Sequence, residues 1–211
     1  VVIHRVKKSF EEIHSKNQFN FIEKSAEGIE RIRSFSFFEK YFLPNTSTKD
    51  LIAAIDWNHE ENIVIYDEDL YDVNTGTWIR EVSYPLKRIP TAQEAYKIYK
   101  EKIAIFEDKK TKFVSISISH VSPYVAKNWI DIIVKNINES MREQDKKIAS
   151  NAIIFLNESA KKTDLNPLKE GISKLLETQM QTLMLASANE SYVFQVIDSP
   201  IVSEKHSGPP R

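Results

Sequence analysis

Hydrophobic and polar positions change period several times along this 211-residue chain, and each change predicts an element. Residues 8 to 43 read as helical: Phe21, Ile22, Ile29, Ile32 and Phe35 fall near helical spacing, and Pro44 stops the segment before the polar stretch 45–48. A shorter helix is expected from Asp50 to Asp56. Between Asn62 and Val82 the pattern turns strand-like, with Ile63 and Ile65, a turn over 72–76 ending in Gly76, then Trp78, Ile79 and Val82. This predicts a hairpin or Ω-like excursion. Pro90, Thr91 and Glu94 form a capping-box start, after which Ala95, Ile98 and Tyr99 share a helical face. The runs 102–107 and 112–120 flank a polar turn, and Val114, Ile116 and Ile118 alternate with Ser115, Ser117 and Ser119. That is a β-hairpin signal.

Ser122 and Pro123 then supply an N-cap and an N1 proline, and Val125, Trp129, Ile133 and Ile137 start an apolar stripe. The stripe resumes at Ile148, Ala152, Phe155 and Leu156, with no Gly or Pro before Pro167. A helix from Pro123 to Lys162 would reach about 60 Å and project beyond a small domain. Asp164 to Pro167 is a stop and restart, and Leu168, Ile172, Leu175, Leu176, Leu183 and Met184 give the return helix its own stripe. Met180, Met184 and Leu185 are expected in the core against the outbound helix. Tyr192 to Ile197 reads as a strand that joins the 102–120 hairpin, whereas the N-terminal stretch shows no clear opening strand. The expected fold is α+β: a small sheet with packed helices, residues 1–121 and 190–200, carries an antiparallel helical hairpin over 122–189. Residues 201–211, with Pro200, Pro209 and Pro210 around them, read as a proline-rich linker.

Charge removes whole classes of function. Lys and Arg number 29 against 30 Asp and Glu, so no basic field draws in nucleic acid. The absence of cysteine rules out disulfides and thiolate nucleophiles, and with only four glycines no phosphate-cradling loop or Walker motif is present. No run approaches the roughly 18 apolar residues that cross a bilayer, and VVIHRVKKSF lacks the order of a signal peptide.

Candidate chemistry is sparse, and no catalytic residue, metal ligand or cofactor is expected. His4, His14, His59, His120 and His206 are scattered without metal-ligand spacing. His59, Glu60 and Glu61 are adjacent, so they cannot all face one ion. Asp67, Glu68, Asp69 and Asp72 form an acidic cluster, but Gly76 falls at the wrong position for a calcium loop. A carbohydrate-acting pair, Asp67 and Glu81 around Trp78, is the remaining enzymatic alternative. Arg142, Asp145 and Lys147 interrupt the apolar stripe of the long helix and are the candidate oligomer or partner face.

The run Val121 to Asp131 (VSPYVAKNWID), the run Asn138 to Asp145 (NESMREQD) and the end Glu190 to Pro200 with Pro209-Pro210-Arg211 resemble the Wzz chain-length determinants, a family of polysaccharide co-polymerases. Phe35 to Phe42, Trp57 and Trp78 fit less specifically, and the resemblance covers about residues 29 to 211. It implies a periplasmic domain of a protein held in the inner membrane of a Gram-negative bacterium by two helices, one before Val1 and one after Arg211. It also implies a homo-oligomer with its arms side by side. Such a protein regulates O-antigen chain length with a membrane polymerase and a lipid-linked glycan, and makes no glycan itself. A periplasmic export adaptor with a helical hairpin is the alternative, and it would require a lipoyl-like β-barrel base.

Overall fold

The computed structural model describes residues 2–8, 18–108, 110–111 and 113–198. Its central feature is a four-stranded antiparallel sheet of β1 (Val2–Lys8), β6 (Ile103–Glu107), β7 (Val114–Ile118) and β8 (Phe194–Asp198), in the order β6-β7-β1-β8. The sheet corrects two expectations. An opening strand does exist, and β8 does not join the hairpin, because β1 lies between them with Val2 opposite Ile118 and Lys8 opposite Phe194. Among its described side chains, Val2 and Val6 are apolar and buried on one face, and two matches are too few for a period of two to stand out.

The 102–120 hairpin forms as its alternation predicts. Val114, Ile116 and Ile118 are buried while Ser115 and Ser117 lie on the opposite face. Helix α4 (Ala92–Lys102) leads into it and starts with the expected capping box, in which Thr91 Oγ1 accepts from the Glu94 amide and Glu94 accepts from the Thr91 amide.

Of the helix expected over 8–43, Lys8 belongs to β1, residues 9–17 lie outside the described residues, and the remainder is interrupted. Helix α1 spans Gln18–Arg33 and contains the backbone of Phe21 and Ile22, whose side chains are outside the described set. Ser34 ends it by donating to the Arg31 carbonyl and accepting from the Phe37 amide, which makes it the N-cap of a new turn. A short helix α2 (Phe35–Phe37), a π turn (Phe38–Phe42) and a 3-10 turn (Leu43–Asn45) follow. These turns bring Phe37, Phe38 and Phe42 inward together.

An insert follows that was expected to begin with a helix over 50–56. Helix α3 (Thr48–Ile52) stops early, and Ala54–Asn58 is strand β2, paired with β3 (Ile63–Tyr66). The second pair, β4 (Tyr71–Asp72) and β5 (Thr77–Trp78), closes through Gly76 at φ +68°, a conformation that glycine adopts without a Cβ clash.

Helix α5 spans Pro123–Lys162, and Ser122 caps it by accepting from the Val125 amide. At 1.5 Å per residue it is about 60 Å long. Its first half lies on the sheet and buries Trp129, Ile130, Ile133 and Ile137. Trp129, Phe42, Tyr99 and Phe38 form the aromatic centre of the core, with ring centroids 4.7 to 5.5 Å apart. Each such side chain stabilises the fold by roughly 1.5–3 kcal/mol through burial. Helix α6 (Asn166–Ala188) packs against α5 more extensively than any other two elements pack. Helix and small antiparallel sheets together make the fold α+β, and the largest sheet among the described residues is an open four-stranded one.

Candidate functional site

The three residues that interrupt the stripe of α5 do not form one belt. Lys147 lies in a shallow open trough of about 460 Å³. One wall of this trough is a polar face of α5 at helical spacing, Asn136, Glu139, Ser140, Glu143, Gln144 and Lys147, and the other is Arg31, Lys40 and Tyr41. Asp145 points elsewhere, accepting from the Tyr192 hydroxyl at 2.6 Å and from Lys24. Lys24 also donates to the Tyr192 oxygen at 2.8 Å, so α1, α5 and the segment before β8 meet at one triad. Arg142 is half-buried, and its Nε lies 3.5 Å from Glu143 without making a hydrogen bond among the described residues.

The electrostatics of these groups fit recognition and packing. Lys146 holds Glu143 below the usual carboxylate range by a 3.1 Å hydrogen bond, so this carboxylate stays ionised. Burial and the bond to Asp145 push the Tyr192 hydroxyl well above its ordinary value, and it remains a donor. Arg31 is paired with Glu27 at 2.6 Å. The trough therefore offers amides, ammonium groups and the Glu143 carboxylate to a polar ligand.

The distal part of the helix pair has a different character. Beyond Ala149 no residue of α5 is fully buried, and only Ala186 is buried in α6. Ile148, Ile154 and Phe155 of α5, with Leu168, Leu175, Met180 and Met184 of α6, are more than half exposed. Met180 and Met184 were expected in the core, and that expectation is corrected: the stripes of α5 and α6 are wider than the line along which the two helices touch. Ile172, Leu176, Leu183 and Leu185 take the half-buried positions along that line.

Several of the remaining candidates have structural partners. Asp67 accepts from the Asp69 amide, and Asp72 accepts from Asn74, Thr75 and the Thr75 hydroxyl, which lowers its pKa. Both cap turns. Glu81 is exposed, and Trp78 packs on Tyr71 at 5.4 Å. His59 is exposed beside Trp57. His120 is held between Asp50 and Ser122 and stands edge-on to Trp129 at 4.8 Å. Among the described residues no three His, Asp or Glu side chains converge on a possible metal position, and no helix is long and apolar enough to cross a membrane. His14, His206, Pro200, Pro209 and Pro210 lie outside the described residues, as does the side chain of His4.

Sequence reasoning missed the trough and the Lys24–Tyr192–Asp145 triad. The polar half of the trough was available as an i, i+3, i+4 series on α5, but its other wall and the triad join residues far apart in the chain. No protein-family model matches the chain, and comparison with curated proteins finds no match.

Proposed function

We propose that this chain is the periplasmic part of a regulator of bacterial surface polysaccharide chain length, O-antigen of lipopolysaccharide being the polymer class. In this reading the sheet and its helices form a membrane-proximal base. Helices α5 and α6 form an antiparallel hairpin arm, and copies of the chain assemble in the inner membrane with arms side by side. The assembly meets a membrane polymerase and its lipid-linked glycan, and its stoichiometry sets how long the glycan stays engaged.

The observation that carries the proposal is the number of large apolar side chains left in solvent along the distal helix pair, which a neighbouring chain could cover. Seven large apolar side chains there are more than half exposed: Ile148, Ile154, Phe155, Leu168, Leu175, Met180 and Met184. Copies of the same helix pair standing side by side would cover these side chains on both flanks of each arm. The ends of the sheet support the same reading: β1 and β8 are antiparallel neighbours with Arg5 opposite Asp198, so one enters and the other leaves at the same end. Two membrane helices could continue from that end side by side.

The test is genetic. The full protein with its membrane helices is expressed in a strain that lacks its own regulator and carries a compatible polymerase, and polysaccharide length is read on a gel. A defined modal band is expected. An unchanged random ladder despite correct membrane insertion would refute the proposal.

A further inference from the structure

Residues 79–90 leave the body between β5 and α4, and one side chain shapes them. Arg80, only 9% exposed, donates from Nε to the Arg88 carbonyl at 2.9 Å and from Nη2 to the Lys87 carbonyl and to both Glu94 oxygens at 3.0 and 3.1 Å. Glu94 also accepts from the Thr91 amide, and Arg80 holds its carboxyl below the usual range, so the pair stays charged. A buried guanidinium destabilises a fold unless its donors are used. Here those bonds draw the two feet of the loop together.

What the clamp holds out is apolar. Every residue from Glu81 to Ile89 is exposed, with Tyr84 at 96%, Ile89 at 70% and Leu86 at 48%. Lys87 and Arg88 stand between the last two, against the single carboxylate Glu81. A preformed loop whose tip combines tyrosine, aliphatic residues and adjacent cations matches the boundary between lipid headgroups and acyl chains.

We propose that this loop docks on a bilayer, with Tyr84, Leu86 and Ile89 entering the interface and Lys87 and Arg88 facing anionic lipid phosphates. Its place in the fold agrees. The insert that carries it is fixed beside the turn after β7, through His120 Nε2 to the Asp50 carbonyl at 2.9 Å and Trp57 on Tyr124 at 5.9 Å. The last residue of β7, Ile118, pairs with Val2 at the start of β1, so the insert is anchored at the end of the sheet where β1 enters and β8 leaves. The loop is attached to that insert by the Ile79 amide, which donates to the Leu70 carbonyl at 3.0 Å. The inference rests on the proposed function only for which membrane this is, because lipid contact is measured without glycan or polymerase.

The chain has no cysteine, so Tyr84→Cys can carry a single polarity-sensitive fluorophore, with Asn74→Cys in the neighbouring turn as reference. Added phosphatidylethanolamine–phosphatidylglycerol vesicles should shift the emission at position 84 to the blue and leave position 74 unchanged. The triple variant Tyr84→Ser, Leu86→Ser, Ile89→Ser should float with those vesicles about tenfold less, with its circular dichroism unchanged. Lys87→Gln with Arg88→Gln should remove the salt-sensitive part of binding. A silent probe at position 84, or equal flotation of wild type and triple variant, overturns the proposal and turns the loop toward a protein partner. A lost modal band with the vesicle result intact would refute the chain-length function alone.

Discussion

His120 shows how a side chain with no role legible in sequence becomes a constraint in the fold. Its Nδ1 accepts from the Ser122 amide at 3.0 Å and its Nε2 lies 2.9 Å from the Asp50 carbonyl, an arrangement that suits the neutral ring protonated at Nε2. Burial lowers its pKa and the charge of Lys102 lowers it further, against the opposing pull of the Asp50 and Ser122 contacts and the Asp50 charge. The unfolded chain therefore binds a proton at a higher pH than the folded one. The contribution of this group to stability is full above about pH 6.5, the ordinary histidine value, and is lost as pH falls below it. Urea midpoints should accordingly fall between pH 7.5 and 5.5 in the wild type. His120→Gln should be less stable at pH 7.5 and show a flatter dependence. An equal slope in both proteins would assign the titration to another group.

Among the elements, the long helix is the part most completely written in the sequence: Ser122, Pro123 and an uninterrupted stripe specify it, and Pro123–Lys162 is the helix observed. Its attachment to the sheet is not written there. Asn138 is buried, accepts from the amides of Val193 at 2.7 Å and Phe194 at 2.8 Å, and donates to the Phe194 carbonyl at 2.8 Å. One side chain thus replaces the ladder partners that the start of β8 lacks. Gly28 of α1 packs on the same segment: a Cβ there would meet Val193 at 3.1 Å and Phe194 at 3.2 Å. Asn138→Ala leaves the two amides and the carbonyl orphaned, at about 1–3 kcal/mol each. We expect a loss of about 3 kcal/mol in urea unfolding, with faster amide exchange at Val193 and Phe194. Unchanged exchange at those amides would show that the segment is held by packing alone.

For the whole molecule, the core lies between the four-stranded sheet, α4 and the first half of α5, while the distal helix pair leaves seven large apolar side chains more than half exposed. If this surface is the contact between copies, changing it should weaken association without unfolding the monomer. Phe155→Ser with Met184→Ser changes two side chains that are 67% and 68% exposed, so little folded-state packing is lost. In sedimentation velocity the wild type should show concentration-dependent oligomers, and the double variant should shift toward monomer at equal or higher thermal stability. A wild type that stays monomeric at every concentration would remove the role given to these side chains.

The sequence alone determined the elements whose signals are local. The capping box at Thr91 and Glu94, the alternating serines and β-branched residues of 114–118, and the uninterrupted helix after Pro123 depend on neighbours a few residues away. It also located the polar interruption of the long helix, but not what each residue there does, because Lys147, Asp145 and Arg142 project in different directions and only distant partners tell them apart. The tertiary structure decided that Val2–Lys8 is a central strand, that 54–58 pairs with 63–66, and that Met180 and Met184 remain in solvent. An apolar pattern specifies that a face should be buried, while the burial itself depends on what the rest of the chain brings against it. For the distal helix pair, the described chain brings too little to cover its outlying apolar side chains.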